Sequence, residues 1–174
     1  SEVEKLVKDV EDLAREVHKR NKELVDEVRD RVRRVEERNK RVVDEVREEV
    51  KKLIDLLRRG DLREKDIRRM LERAKELIDR VKEDNDRVAR TLEDLVRKVK
   101  EENEKVLTDI ERLVEEIPDE EAKDRIRELL KRVEESVEKV KRDIERLIER
   151  SKESVRRLEE RIKELLRELE EAAR

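Results

Sequence analysis

The side chains in this chain that could take part in chemistry are those of asparagine, serine and histidine, and most of them recur at a fixed interval. The asparagines and serines fall into three pairs, each eighteen residues apart: Asn21 and Asn39, Asn85 and Asn103, and Ser136 and Ser154. At about 100° per residue, eighteen residues complete five helical turns, so each pair repeats on one face of a helix. Because amides and hydroxyls both donate and accept hydrogen bonds, this pattern favours hydrogen bonding within an apolar interior.

The same pairs match in height if the chain folds back on itself twice. Facing residues of antiparallel helices have position numbers with a constant sum, which predicts two polar levels. The first level contains Asn21, Asn103 and Ser136, and the second contains Asn39, Asn85 and Ser154. Ser151 is expected at the centre of the third apolar face. An unpaired buried amide costs about 1–3 kcal/mol, so we expect each level to form a hydrogen-bonded ring that fixes helix register.

The alternative for these levels is a buried site for a polar ligand or ion, but matched heights in two copies favour the structural role. His18 lies at the margin of the first apolar face, where it could extend the level around Asn21. A helical carboxylate–histidine metal site would place Glu three residues earlier, and that residue is Arg15. We therefore predict a hydrogen-bonding boundary histidine, no metal, no cofactor and no enzyme activity.

Arg59-Gly60-Asp61 matches the tripeptide that many integrins recognise. Helix-end chemistry accounts for the same residues: a basic last turn, a glycine just past the helix and an aspartate that caps the next helix. We prefer this second interpretation, with Asp61 as the N-cap.

The composition excludes several classes of protein. Charged residues make up 59% of the 174 residues, compared with about one quarter in average globular domains. The 50 basic and 53 acidic residues are intermixed and no aromatic residue is present, so a nucleic-acid surface is not predicted. No apolar run exceeds two residues, which excludes a transmembrane helix. Without cysteine, no disulfide or thiol chemistry is expected.

One glycine and one proline divide the chain into near-equal thirds. Gly60 follows a basic helix end, and Pro118 disfavours helical geometry in the residue before it. Acids after Pro118 favour a helix N-terminus. We predict helices over about 2–59, 62–116 and 120–172, with turns at 60–61 and 117–119.

The apolar residues, mostly Val, Leu and Ile, recur with helical periodicity, which argues against disorder despite the high charge. Each apolar face covers roughly 120°, enough to contact two neighbouring helices. An eighteen-residue repeat gives 3.6 residues per turn, the relaxed value, so the helices should be nearly straight. We predict an all-α, single-chain, antiparallel up-down-up three-helix bundle of long helices, formed as one domain by residues 1–174.

The chain resembles a computationally designed (de novo) parametric three-helix bundle with buried hydrogen-bond networks. The resemblance rests on the eighteen-residue repeat, the use of few residue types without aromatics or glutamine, and the matched Asn/Ser levels. Natural spectrin-type repeats match less well because they usually contain aromatics and are less regular. The resemblance implies a hyperstable structural scaffold without a natural biochemical function, in which buried Asn/Ser levels set helix register.

Two alternatives to a monomeric scaffold remain open. One is a designed interaction or self-assembly building block, which would present apolar residues outside the helical faces; almost none are found beyond Leu62 and the helix ends. The other is a membrane-surface amphipathic protein, which the absence of aromatics disfavours. We expect a soluble monomer without partner, nucleic acid or membrane, produced in the cytoplasm of a heterologous host.

Overall fold

The computed structural model describes residues 2–174, which form three long α-helices joined by two short turns. The helices are α1 (Glu2–Arg58), α2 (Glu64–Glu115) and α3 (Glu120–Ala173). Acidic residues occupy the first turn of each helix, where they interact favourably with the helix dipole. The predicted all-α three-helix bundle is confirmed. None of these helices is sufficiently long and apolar to cross a membrane.

The end of α1 is closed by a Schellman motif. Gly60 has a φ of 76°, in the left-handed region. Its N–H donates to the carbonyl of Leu57 at 3.0 Å, and the N–H of Asp61 donates to the carbonyl of Leu56 at 2.9 Å. These two bonds satisfy carbonyls that the helix itself leaves unpaired. The left-handed φ of Gly60 and the backbone N–H of Asp61 therefore both serve to end α1.

The cap of α2 differs from the sequence prediction. The helix begins at Glu64 rather than 62, so Asp61 is not its N-cap. Instead, the carboxylate of Asp66 accepts the backbone N–H of Arg63 at 3.2 Å. This is one half of a capping box, in which the third helical residue reaches back to the cap residue. The backbone N–H of Asp61 bonds to the end of α1, so the turn extends about two residues further than expected before α2 begins.

Gly60→Ala should lower the free energy of unfolding by about 1 kcal/mol, because an L-residue is strained in the left-handed region. Crowding would not contribute, since an added Cβ meets no atom within 4 Å. Gly60→Asn is the matched control, because Asn tolerates this region better than Ala does. Guanidinium chloride titrations would compare the two variants. An Ala variant at least as stable as the Asn variant would contradict this explanation.

The second turn is tighter than the first. The N–H groups of Glu116 and Ile117 donate to carbonyls three residues earlier, each at 3.2 Å, which narrows the last turn of α2 before Pro118. The carboxylate of Asp119 then accepts the N–H of Glu121 at 3.1 Å, as an N-cap residue does. Ile117 is almost fully buried, at 1% exposure. The turn therefore anchors in the apolar core as well as reversing the chain.

Backbone contacts divide the chain into two compact units, each containing a segment of all three helices. The first unit comprises the residues up to Asp30 together with Thr91–Leu147, and the second comprises Arg31–Arg90 together with Ile148–Arg174. The first unit contains an apolar core cluster of Val7, Val10, Ile110, Val114, Ile117, Ala122 and Ile126.

The second unit has a larger core cluster of the same aliphatic type. Its buried members are Val46, Val50, Met70, Ala74, Ile78, Val81, Val155, Leu158, Ile162, Leu165 and Leu169. All three helices contribute to it, as the roughly 120° apolar faces require. Aliphatic packing therefore holds the three helix segments of each unit together, and this packing positions the polar side chains of each unit.

Candidate functional site

All four asparagines are buried within the apolar faces of α1 and α2. Asn21 is 0% exposed, Asn39 and Asn103 are 3% exposed, and Asn85 is 5% exposed. Ser151 is also buried, at 4%. Buried amides are stable only when hydrogen-bonded, so their partners determine what this set of side chains does.

In the first unit, the two asparagines bond directly to each other. The amide nitrogen of Asn103 donates to the carbonyl oxygen of Asn21 at 2.9 Å, and the bond is buried. The reciprocal bond is not formed: the amide nitrogen of Asn21 and the carbonyl oxygen of Asn103 are buried without a partner among the described residues. The pair is therefore only partly satisfied.

In the second unit, each asparagine bonds to a serine of α3. The amide nitrogen of Asn39 donates to Oγ of Ser154 at 3.0 Å. The hydroxyl of Ser151 donates to the carbonyl oxygen of Asn85 at 2.7 Å. The carbonyl oxygen of Asn39 is buried without a partner in the described part of the chain.

The polar side chains thus form pairs rather than the three-membered rings expected from the sequence. Position explains the difference. Ser136 and Ser154 lie at the edge of the α3 apolar face and are half-buried, whereas Ser151 lies at its centre. Asn85 therefore pairs with the central Ser151 rather than with Ser154, and Ser136 bonds outside the Asn21–Asn103 pair.

His18 lies at the protein surface. Its Nδ1 is 3.4 Å from Oγ of Ser136, at the outer limit of hydrogen-bond distance. Among residues 2–174, no group of three or more His, Cys, Asp or Glu side chains is arranged to hold a metal ion. The geometry of His18 suits a peripheral hydrogen bond between α1 and α3.

Sequence analysis missed a second polar repeat beside the asparagines. Arg20 contacts Glu102 at 3.4 Å in the first unit, and Arg38 contacts Asp84 at 3.5 Å in the second. Arg20 and Arg38 are themselves eighteen residues apart, as are Asp84 and Glu102. This spacing is the signal in the sequence that could have revealed these contacts among the many charged residues. Both arginines are half-buried and directly precede an asparagine.

Interhelical ion pairs also occur at the surface, and one of them shifts a pKa. Lys82 bonds to Glu159 at 3.0 Å, and Lys163 lies 3.2 Å from the same carboxyl group. The hydrogen bond from Lys82, with a smaller contribution from Lys163, holds the pKa of Glu159 below its ordinary value, although partial burial opposes this. Glu159 therefore stays ionised at a lower pH than an isolated glutamate.

Because the pKa of Glu159 is lower in the folded state, its ionised form stabilises folding above the unfolded-state pKa. This stabilisation should be lost as the pH falls through the folded pKa. Carboxyl-carbon NMR titration should give Glu159 a midpoint below the ordinary value for a glutamate side chain. Lys82→Met should raise that midpoint, and Arg80→Met on the exposed face of the same helix should not. A midpoint for Glu159 at or above the ordinary glutamate value would contradict the assignment.

The chemistry available to the buried pairs is limited to hydrogen bonding. A nucleophilic serine requires a base that takes its proton. The hydroxyl of Ser151 donates to a neutral amide oxygen, which cannot serve as that base. Asn21 and Asn103 likewise bond amide to amide. The pairs can therefore specify which groups face each other, but they do not activate a reacting atom.

No protein-family model and no curated protein sequence matches the chain. Among solved structures, the chain is similar to a protein described as a computationally designed three helix bundle. The two share 21% sequence identity with a TM-score of 0.48, over 99% of this chain and 87% of that chain. The three helices and their shared aliphatic packing establish the fold independently of this similarity.

Proposed function

We propose that this protein is a designed structural scaffold without natural catalytic activity, in which buried polar pairs set the register of the helices. The observation that carries the proposal is the repetition of polar contacts. Each unit contains bonded, buried asparagines and an adjacent Arg–carboxylate contact, at positions related by eighteen residues.

The incomplete hydrogen bonding supports a role in specificity rather than in stability. Replacing a partly satisfied buried pair by apolar groups is often neutral or stabilising. Sliding one helix against another would instead leave an amide facing aliphatic side chains without any partner. Such a penalty acts on the wrong registers, as a buried Asn does in coiled coils.

Distance measurement within the first unit would test the register role. Spin labels would be attached through Lys22→Cys on α1 and Lys105→Cys on α2, both exposed positions in a chain without native cysteine. We expect one narrow label–label distance in the parent. Asn21→Leu with Asn103→Leu should give additional distances, offset by about one helical turn, or roughly 5 Å.

The control for repacking is Val17→Leu, which enlarges the same buried region but keeps both amides. Its distance distribution should remain narrow. The register proposal would be wrong if the double leucine variant kept a single narrow distance under conditions in which it is fully folded by circular dichroism.

We also propose that the scaffold is a monomer without an obligate partner. Leu56, at 36%, is the exposed large hydrophobic side chain among the described residues. Stable self-association generally requires a larger apolar interface. Multi-angle light scattering at two concentrations differing a hundredfold should give one molar mass, that of a single 21.2 kDa chain. A larger, concentration-dependent mass would favour a self-assembling building block.

A further inference from the structure

A surface groove in the first unit lies between α1 and α3. It has a volume of about 410 Å³, within the range of small-molecule sites in proteins. Its floor is aliphatic: Ala14, Val17, Leu129 and Val133. His18 and Ser136, which bond to each other, also line it.

The eighteen-residue repeat shows why the groove is open. The counterpart of Ala14 in the next repeat is Val32, which is fully buried in the second unit. Ala14 has two fewer methyl groups and is itself only half-buried. The missing side-chain volume lies at the floor of the groove.

A second difference between the repeats is an ion pair between α1 and α3 that is present in the second unit but has no counterpart at the groove. In the second unit, Arg150 of α3 contacts Glu36 of α1 at 2.7 Å. The counterparts in the first unit are Arg132 and His18. Arg132 therefore lacks this acidic partner on α1 and instead contacts Glu128 on its own helix at 3.7 Å. The salt bridge that joins α1 and α3 at this position in the second unit therefore has no counterpart between Arg132 and His18 in the first unit. Glu11, at the edge of the groove, pairs instead with Arg125 of α3 at 3.3 Å.

The charge of the groove favours an anion. Arg15, Lys19 and Arg132 line it together with one carboxylate, that of Glu11. Arg15 and Arg132 each contact an acid of their own helix, at 3.6 and 3.7 Å, but these pairs are exposed and therefore weak. Both guanidinium groups can therefore turn towards a bound anion without a large loss.

We infer that this groove is a binding site for small amphipathic anions, which goes beyond the scaffold role proposed above. The apolar part of such a ligand packs on Ala14, Val17 and Leu129. Its carboxylate or sulfonate lies at the rim, within reach of Arg132 and Lys19. A neutral ligand of the same shape gains the apolar contact but not the charge interaction.

Titration with 8-anilinonaphthalene-1-sulfonate, followed by fluorescence and calorimetry, tests the inference on the full chain. The parent should bind one molecule saturably, and decanoate should displace it better than decanol does. Ala14→Val with His18→Glu installs the residues of the second repeat. This variant should bind at least roughly tenfold more weakly, because valine fills the floor and the new carboxylate pairs with Arg132.

Arg132→Gln should weaken binding roughly two- to fivefold, as expected for one exposed charge contact. Its matched control is Arg150→Gln, the same change at the counterpart position in the second unit, which should leave binding unchanged. The inference is overturned if the parent shows no saturable binding. It is also overturned if the groove-filling variant binds as the parent does, or if both arginine variants weaken binding equally.

Discussion

Replacing Asn103 with leucine should lower the free energy of unfolding by about 1–3 kcal/mol, the usual cost of leaving a buried polar group without its partner. Asn21 is 0% exposed, and its carbonyl oxygen accepts its described hydrogen bond from Asn103. Its amide nitrogen is already unpaired. The single substitution would therefore strand both polar ends of one fully buried side chain.

Adding Asn21→Leu to Asn103→Leu should restore the stability of the parent or exceed it, because no polar group would then be stranded. Chemical denaturation of the parent, the two single variants and the double variant would give the coupling free energy directly. Additive single effects would show that the Asn21–Asn103 bond has no energetic consequence.

Asn39→Leu provides the matched control in the second unit. This substitution would remove the hydrogen bond that Ser154 Oγ accepts from Asn39. Ser154 is half-buried, so its hydroxyl can rotate and bond to water instead. The same substitution should therefore cost less than Asn103→Leu. Asn85 should keep its hydrogen bond in this variant, although the sequence placed it in one ring with Asn39, because it bonds to Ser151.

Leu158→Ala should lower the free energy of unfolding by about 2–5 kcal/mol, which is the largest effect of a single substitution expected here. Leu158 is 2% exposed and belongs to the core cluster of the second unit. Truncation removes three carbon atoms from a closely packed aliphatic region, and the neighbouring side chains can only partly fill the space. Guanidinium chloride denaturation would measure the loss.

Leu56→Ala is the control for Leu158→Ala, since it makes the same chemical change at a leucine that is 36% exposed. Its cost should be within about 1 kcal/mol of zero, because little area is removed from contact and no enclosed space is created. Similar costs for the two variants would show that the core of the second unit is not packed as described.

Periodicity made the helices predictable because each apolar face must be buried against a neighbour. Gly60 and Pro118 mark both turns, for reasons that act within a few residues: a left-handed φ in one case and a helix-incompatible ring in the other. The start of α2 was harder to place. Two aspartates could cap it, and the choice of Asp66 over Asp61 depends on how far the Schellman motif extends.

Side-chain partners were less predictable than side-chain burial. The constant sum of positions in antiparallel helices placed Asn21 and Asn103 at one level, and in the structure Asn103 donates to Asn21. The sum could not decide whether Ser151 or Ser154 is the partner of Asn85, because both lie within one helical turn of the expected height. Which of them faces Asn85 depends on the rotation of α3 about its own axis. Spacing alone also could not distinguish half-buried Arg20 from the many arginines in solvent.

The groove was not anticipated because it arises from departures from the repeat rather than from the repeat itself. Ala14 differs from valine by only two methyl groups, and His18 taken alone indicates no more than a possible ligand or a boundary residue. Their effect on the packing of α1 against α3 is evident only from the ion pairs in the structure, in which Arg150 contacts α1 but its counterpart Arg132 contacts its own helix.

Each buried amide finds its described partner inside its own unit: Asn21 with Asn103 in one, and Asn39 and Asn85 with serines in the other. Under the register role proposed above, each set specifies the pairing of the helix segments in its own unit independently of the other. The polar residues of one unit could then be substituted, asparagine by leucine or serine by asparagine, while those of the other unit are kept to specify alignment. A set of sequences with mutually exclusive helix pairings could therefore be made on this backbone with few substitutions.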